Sequence, residues 1–281
     1  MITYRAILDV PTELLHHLAG LLTEHREQLG TRTGRRALTC ARQALLVLIW
    51  FRTNNDLTLL ASSFAISRAT AYRYRDEAVK VLAATTPRLH DALTQAATDG
   101  YPFVILDGKV FTGDRCATTV IGKKKKPVHA WYSGKHRAFG ANIQAVIRPD
   151  GLPLWTSEVT HGRLHDSTAA TQHHIYAALY WAAEKLTLPT LADAGYHGTG
   201  PGIHTPIKLP PTGGGHLTTD HQTHNQLLRS LRAPGERGFA LLTQRWKALQ
   251  HLTCSPSRIG ILVKAALALT HYEHRHTTTA Y

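Results

Sequence analysis

Two apolar runs in this chain of 281 residues end on an aspartate. FVILDG carries Asp107, and LPTLADAGYHG carries Asp193. A third acid, Glu236, lies in LRSLRAPGERGFALLTQRWKAL, where Phe239, Leu241, Leu242 and Trp246 form the apolar side of a helix. Two strand-end aspartates and one helix glutamate can converge on hard divalent cations. Mg²⁺ favours oxygen ligands, keeps several waters, and takes one or two carboxylates together with phosphate oxygens. Two such ions about 3.5 to 4 Å apart can activate water and stabilise the leaving oxygen of a phosphodiester. Aspartate is equally a common turn-former where a strand stops, because its side chain accepts from the backbone two residues on. Spacing alone leaves both readings open.

Charge narrows the setting. Lys and Arg number 32 against 19 acids, a formal net charge of +13. Such a field draws polyanions, with nucleic acid first among them. The excess is uneven: residues 1–99 hold 12 basic and 9 acidic residues, whereas residues 100–281 hold 20 and 10. Hydrophobic residues make up 43% of the chain, enough for a sizeable core. The longest apolar run, ALLVLIWF at residues 44–51, is far shorter than the roughly 18 residues of a membrane span. The N-terminal residues have no signal-peptide shape. A cytoplasmic protein without a membrane partner is expected. Cys40, Cys116 and Cys254 are far apart and form no CxxC pair, so reduced thiols are expected rather than disulfides or zinc.

The elements that must position the acids change character along the chain. Residues 11–97 carry apolar residues at helical spacing, as in TELLHHLAGLLTEHREQL, and Thr39 is placed to cap a second helix through Phe51. Two shorter helices are predicted at 57–64 and 68–83, and Pro87 starts another. After Asp99-Gly100 the runs become short and β-rich: FVILDG, CATTVIG, HAWYSG, NIQAVIRPDG, LPLWTSEVT. A helix is predicted over 166–185, a strand in TLPTLAD, a long helix over about 219–250 and a last one in SRIGILVKAALALTHYE, with a frayed tail. The order implies an all-helical domain over residues 1–97 and an α/β domain with a mixed sheet over residues 98–281.

LTLLASSFAISRATAYRYRDEAV, residues 57–79, has the pattern of a helix-turn-helix. Leu57, Leu60, Ala61 and Phe64 make one apolar face, Ala65 and Ile66 occupy the turn, and Ser67 caps the second helix. That helix is expected to expose Arg68, Thr70, Arg73 and Arg75, with Tyr72 and Tyr74 between them. Its first residues would reach base edges while the arginines hold phosphates. The competing reading is an ordinary helical hairpin with a solvated basic face.

VILDGKVF, WYSGKHRAFGANIQAV, GRLHDST, LADAGYHG and LRAPGERGFALLTQRWKAL occur in this order. As a set they resemble the DDE-type transposases of bacterial insertion sequences, in the branch related to Harbinger transposases. The resemblance runs from about residue 40 to about residue 265. It implies an RNase H-like catalytic domain, a mixed sheet flanked by helices, behind the helix-turn-helix. It implies that Asp107, Asp193 and Glu236 are the three catalytic acids and hold Mg²⁺ or Mn²⁺, as two ions. It also implies hydrolysis at the terminal inverted repeats of a transposon, attack of the freed 3′-hydroxyl on target DNA, and a homo-oligomer assembled on double-stranded DNA, hence a nucleoid-associated protein. Many relatives have a valine before the glutamate; Gly235 stands there in this chain. The family pattern also has an acid at Asp166, read here as a helix-start residue or a support for the ligands ahead of a direct ligand. A catalytically silent regulator with the same fold, or a nuclease that cuts without joining strands, is the alternative.

Lys135, His136 and Arg137 adjoin a matched motif and two aromatics, and are read as contacts to the DNA backbone. KKKK at residues 123–126 suits a solvated hairpin loop and a phosphate clamp equally. His161 and His165 are four apart, but Gly162 argues against a helix and so against zinc. PTGGG lacks the GK[ST] ending of a phosphate-binding loop. Ser67, Ser133 and Ser157 have no His-Asp pattern that would make a nucleophile.

Overall fold

A computed structural model describes residues 7–32, 34–122, 125–209, 216–250 and 252–277. They fall into two compact units: residues 1–86 with 242–251 and 261–281, and residues 87–241 with 252–260. The compositional boundary at residues 97 and 98 thus falls within the second unit. PTGGG, Lys123 and Lys124 lie outside the described residues, as do the last residues of the tail.

The first unit contains α1 (Thr12–Gln28), α2 (Cys40–Thr53), α3 (Leu57–Ser63) and α4 (Arg68–Ala84). Leu14, Leu18 and Leu22, one stripe of α1, are fully buried with Leu46, Val47 and Phe51 of α2 and Leu82 of α4. Local chemistry sets the helix ends. The Thr39 hydroxyl accepts from the Arg42 N–H at 3.3 Å, and α2 stops at Asn54, which adopts φ +55°. Asp56 Oδ1 accepts from the N–H groups of Thr58 and Leu59 at the start of α3. Ser67 Oγ accepts from the Thr70 N–H at 3.2 Å at the start of α4. Between them Ala65 takes φ +54°, the reversal that makes the predicted helix-turn-helix. Later parts of the chain complete this core: Trp246 packs edge-on against Phe51 and donates its indole N–H to Thr270.

The second unit begins with α5 (Leu89–Thr98) and is built on β1 (Val104–Thr112). A separate hairpin pairs β2 (Thr119–Ile121) with β3 (Pro127–His129). Then follow β4 (Tyr132–Ser133), β5 (Ala138–Ile147), β6 (Pro153–Thr156) and β7 (Thr160–His161). Next come α6 (Asp166–Gln172), α7 (Ile175–Lys185), β8 (Thr190–Ala192), β9 (Ile203–His204) and α8 (Thr219–Arg245). The last helix, α9 (Ile259–Thr277), returns to the first unit from residue 261. The sheet is mixed, in the order β4-β5-β1-β8-β9, with β6 and β7 also on β5. β5 runs antiparallel to β1, whereas β8 and β9 run parallel to it. This is the RNase H-like arrangement expected, with helices on both faces. Leu106 and Val146 pack on one face with Leu93 of α5 and Ile175 and Leu179 of α7. Ile105 and Phe111 meet α8 on the other.

Two expectations need correcting. Residues 166–185 form two helices, because His174 takes φ +53° between α6 and α7; this lets the Tyr176 hydroxyl donate to the Ser167 carbonyl. β1 does not stop at Asp107. It continues to Thr112 because β5 pairs with it from Ile105 to Thr112, so Asp107 is a mid-strand residue opposite Ala145.

Gly235 is explained by packing. It sits inside α8, and a Cβ there would lie 2.7 Å from Ile105 Cγ2, on a branched side chain that cannot swing away. Gly235→Val is therefore expected to lower the unfolding free energy by about 1–3 kcal/mol in urea titrations, the usual cost of overpacking. Gly20→Ala, in α1 with open space around it, is the control and should gain about 0.5–1 kcal/mol from helix propensity.

Candidate functional site

Side chains alternate across a strand, so Ile105, Asp107, Lys109 and Phe111 share one face of β1, and Leu106, Gly108 and Val110 share the other. The first set faces α8. Ile105 lies against Gly235, and the Phe111 ring meets the Phe239 ring edge-on at 5.7 Å. Asp107 and Lys109 lie between these contacts. On the parallel neighbour, Leu106 pairs with Ala192, where β8 ends, so the next residue, Asp193, emerges beside Asp107. Asp193 does form a turn: its Oδ1 accepts from the Gly195 N–H at 2.7 Å and starts a 3₁₀ turn over Ala194–Tyr196. One carboxylate oxygen serves the turn, which leaves the other for a ligand.

The pair is electrostatically uncomfortable. Burial pushes the Asp107 carboxyl up to about 6; the nearby Asp193 and Asp166 push the same way, opposed by the Gly108 backbone N–H and the Arg232 guanidinium. Burial also lowers the Lys109 ammonium from its ordinary value, partly offset by Asp107. Arg232, on α8 one turn before Gly235, has a buried Nε without a hydrogen-bond partner among the described residues. Neither Lys109 nor Arg232 stood out in the sequence. Lys109 was legible by alternation, two residues from Asp107, and Arg232 by its place four residues before Glu236.

Asp166 approaches from the opposite face, over Gly108. A Cβ on Gly108 would lie 2.6 Å from Asp166 Oδ1 and 2.5 Å from Gln144 Nε2, so only glycine leaves room. Asp166 Oδ1 accepts from Asn142 Nδ2 at 2.7 Å, and Gln144 Nε2 donates to Asn142 Oδ1 at 2.7 Å. The buried Tyr196 hydroxyl donates to Gln144 Oε1. Burial raises the pKa of Tyr196 well above its ordinary value, and Asp166, Asp107 and Asp193 reinforce this. Asp166 is the first residue of α6, behind the His165 cap, and its charge acts on Asp107.

Glu236 projects from an exposed part of α8. Among the described residues no group of three or more His, Cys, Asp and Glu is gathered closely enough to hold a metal ion. The structure thus brings Asp107 and Asp193 together, with Asp166 nearby. As a donor set, two carboxylates with excess negative charge suit a hard divalent cation that draws its other ligands from water and phosphate. His161 sits edge-on to Trp131 at 4.7 Å, and the His165 ring caps α6.

On α4, Ser67, Arg68 and Arg73 are exposed, and Thr70 and Tyr72 are half-buried. Arg73 Nη2 donates to the Thr70 hydroxyl at 3.1 Å, and Arg68 lies 5.5 Å from the centre of the Tyr72 ring. Two expectations differ here. Tyr74 is core, its hydroxyl accepting from the Leu38 N–H. Arg75 is held by Asp76 at 2.6 Å and sits over the rings of Tyr72 and Trp50 at 4.8 and 5.2 Å, so packing already occupies its guanidinium. Helical rotation places it toward α2 rather than outward. Lys135, His136 and Arg137 are exposed in the turn between β4 and β5, where Arg137 has φ +52°.

Residues 106–271 match the family model described as DDE superfamily endonuclease, and residues 36–88 match that of the helix-turn-helix of DDE superfamily endonuclease. A solved structure, the crystal structure of a pre-cleavage Mos1 transpososome, aligns over 94% of this chain and 98% of its own at 11% identity, with a TM-score of 0.20. Among curated proteins none matches. No described helix is long and apolar enough to cross a membrane.

Two outcomes are expected. Because the fold raises the pKa of Asp107 above the ordinary 3.8, it favours the protonated acid, and this group's stabilisation is lost as pH rises from about 4 through about 6. Asp107→Asn carries no charge at any pH. It should match the parent below pH ~4 and exceed it above pH ~6, by up to about 3 kcal/mol, in metal-free thermal or urea unfolding. In the helix-turn-helix, Arg73→Ala should preserve the melting temperature, weaken DNA binding and flatten its salt dependence by about one unit. Arg75→Ala should lower the melting temperature instead.

Proposed function

Because the chain belongs to the DDE superfamily of endonucleases and carries their helix-turn-helix, we propose that it is a DNA transposase that hydrolyses phosphodiesters at transposon ends and transfers the freed strand into target DNA. The observation that best supports this is the placement of Asp107 beside the end of the parallel strand that delivers Asp193, in a desolvated pair with too little positive charge to balance it. Asp107 and Asp193, with Glu236 as third acid, are the residues that would hold Mg²⁺ or Mn²⁺, as two ions. When bound, the ions neutralise the phosphate and make water a competent nucleophile at neutral pH.

The chain's own groups have separate tasks. Asp107 would be one of the carboxylates that hold the cation, and burial favours a proton on it otherwise. Arg232 Nε–H and the Lys109 ammonium, on the same side of the sheet, supply donors and positive charge for non-bridging phosphate oxygens. α4 reads DNA in the terminal inverted repeats through Ser67, Arg68, Thr70, Tyr72 and Arg73, with phosphate contacts holding register and base edges giving sequence. Pairing of two transposon ends calls for a homo-oligomer on double-stranded DNA. The exposed position of Glu236 favours a second reading, a DNA-binding regulator that has kept the fold without cleavage. A nuclease that cuts without joining differs only in its products.

The test is cleavage of DNA carrying the repeats that flank the gene, with Mg²⁺ or Mn²⁺, scored for both cut and joined strands. Asp107→Ala, Asp193→Ala and Glu236→Ala should each lower cleavage by at least about a hundredfold while leaving DNA affinity intact, as for loss of a group acting in the transition state. Equal cutting by Glu236→Ala would remove that residue from the triad. Specific binding without metal-dependent cutting would establish the regulator.

A further inference from the structure

A cavity of about 130 Å³ opens on the opposite face of the sheet from Asp107, between the β4–β5 turn and the loop before α6. Lys135, His136, Asn142, Arg163, His165 and Asp166 line it. A single water needs about 10–15 Å³ measured in this way, so a phosphate group fits. Lys135, His136 and Arg163 are exposed, and none is ion-paired among the described residues. The one acid in the lining, Asp166, is already engaged: its Oδ1 accepts from Asn142 at 2.7 Å and from Gln144 at 3.4 Å. Two fixed cations, two imidazoles and one occupied carboxylate leave a net positive cavity.

We propose that this cavity is a phosphate subsite, which holds a phosphodiester of the same strand whose neighbouring linkage lies at Asp107 and Asp193. The assignment rests on the transposase reading for the identity of the strand. Asp166 is the link between the two places. It lines the cavity, fills the space over Gly108 where a Cβ would meet its Oδ1 at 2.6 Å, and its charge acts on Asp107. A strand that passes Asp166 from the acid pair meets Arg163 and Lys135 in the same cavity. The geometry also divides the cluster expected from the sequence: Lys135 and His136 line the cavity, Arg137 does not, and Arg163 replaces it.

The test uses the full chain, isotope-labelled, without metal, titrated with the 5′-phosphorylated thymidylate trinucleotide. Ring C–H signals of His136 and His165 should shift on titration, each assigned by its loss in His136→Gln or His165→Asn. Arg163→Ala should weaken this titration by about tenfold or more, the usual effect of removing one charge-assisted hydrogen bond. Lys185→Ala, on the exposed end of α7, should titrate as the parent does. Silent histidines, or equal titration by Arg163→Ala and Lys185→Ala, would overturn the subsite. Metal-dependent cleavage is scored separately on the same preparations. Cleavage with silent histidines defeats the subsite alone; an intact titration without cleavage defeats the transposase reading and leaves a phosphate site.

Discussion

The parallel pairing of β1 with β8 is the constraint on which the rest depends. Three residue pairs join the strands, and the last sets Leu106 against Ala192. β8 stops there while β1 runs on, supported from its other side by β5. The offset places a mid-strand carboxylate beside a strand-end one. It also leaves β1 just beyond Leu106 without a paired strand on that side among the described residues. A register shift of one residue would turn Asp107 to the other face and dissolve the pair.

Glycine makes the surrounding shell possible by absence of bulk. Gly108 admits Asp166 and Gln144 to within van der Waals reach of the backbone, and Gly235 brings α8 down on Ile105. Both are close approaches rather than turns. They let elements from both faces crowd the same short stretch of β1. On one face stands an amide chain from Tyr196 through Gln144 and Asn142 to Asp166, and on the other Arg232 and Lys109. The polar chain lies next to a packed apolar layer containing Leu106, Val146 and Leu179, and its members satisfy one another's hydrogen-bonding groups, which is what allows them to be buried there.

The first unit follows different rules. Its helices are delimited by local caps at Thr39, Asp56 and Ser67, of which Thr39 and Ser67 were legible from residue type alone. Its basic surface divides by rotation about α4: Arg68 and Arg73 face solvent, while Arg75 is drawn inward onto Trp50 and Tyr72. A count of arginines on a helix overstates the number free for phosphate, because an aromatic neighbour and an adjacent acid compete for the guanidinium.

What the sequence by itself determined was local: the caps, the helix-turn-helix, the change from helical to strand periodicity after residue 99, the basic excess, and the identity of Asp107 and Asp193 as acids where apolar runs stop. These depend on residues within a few positions of one another, so residue type and spacing suffice. Only the tertiary structure decided that β1 continues beyond Asp107, since the β5 partner lies some forty positions away. It decided that Asp166 crosses over Gly108, that Gly235 is a packing glycine, and that Arg163 rather than Arg137 joins Lys135. Each of these is a distance between residues remote in sequence, set by strand register and helix docking.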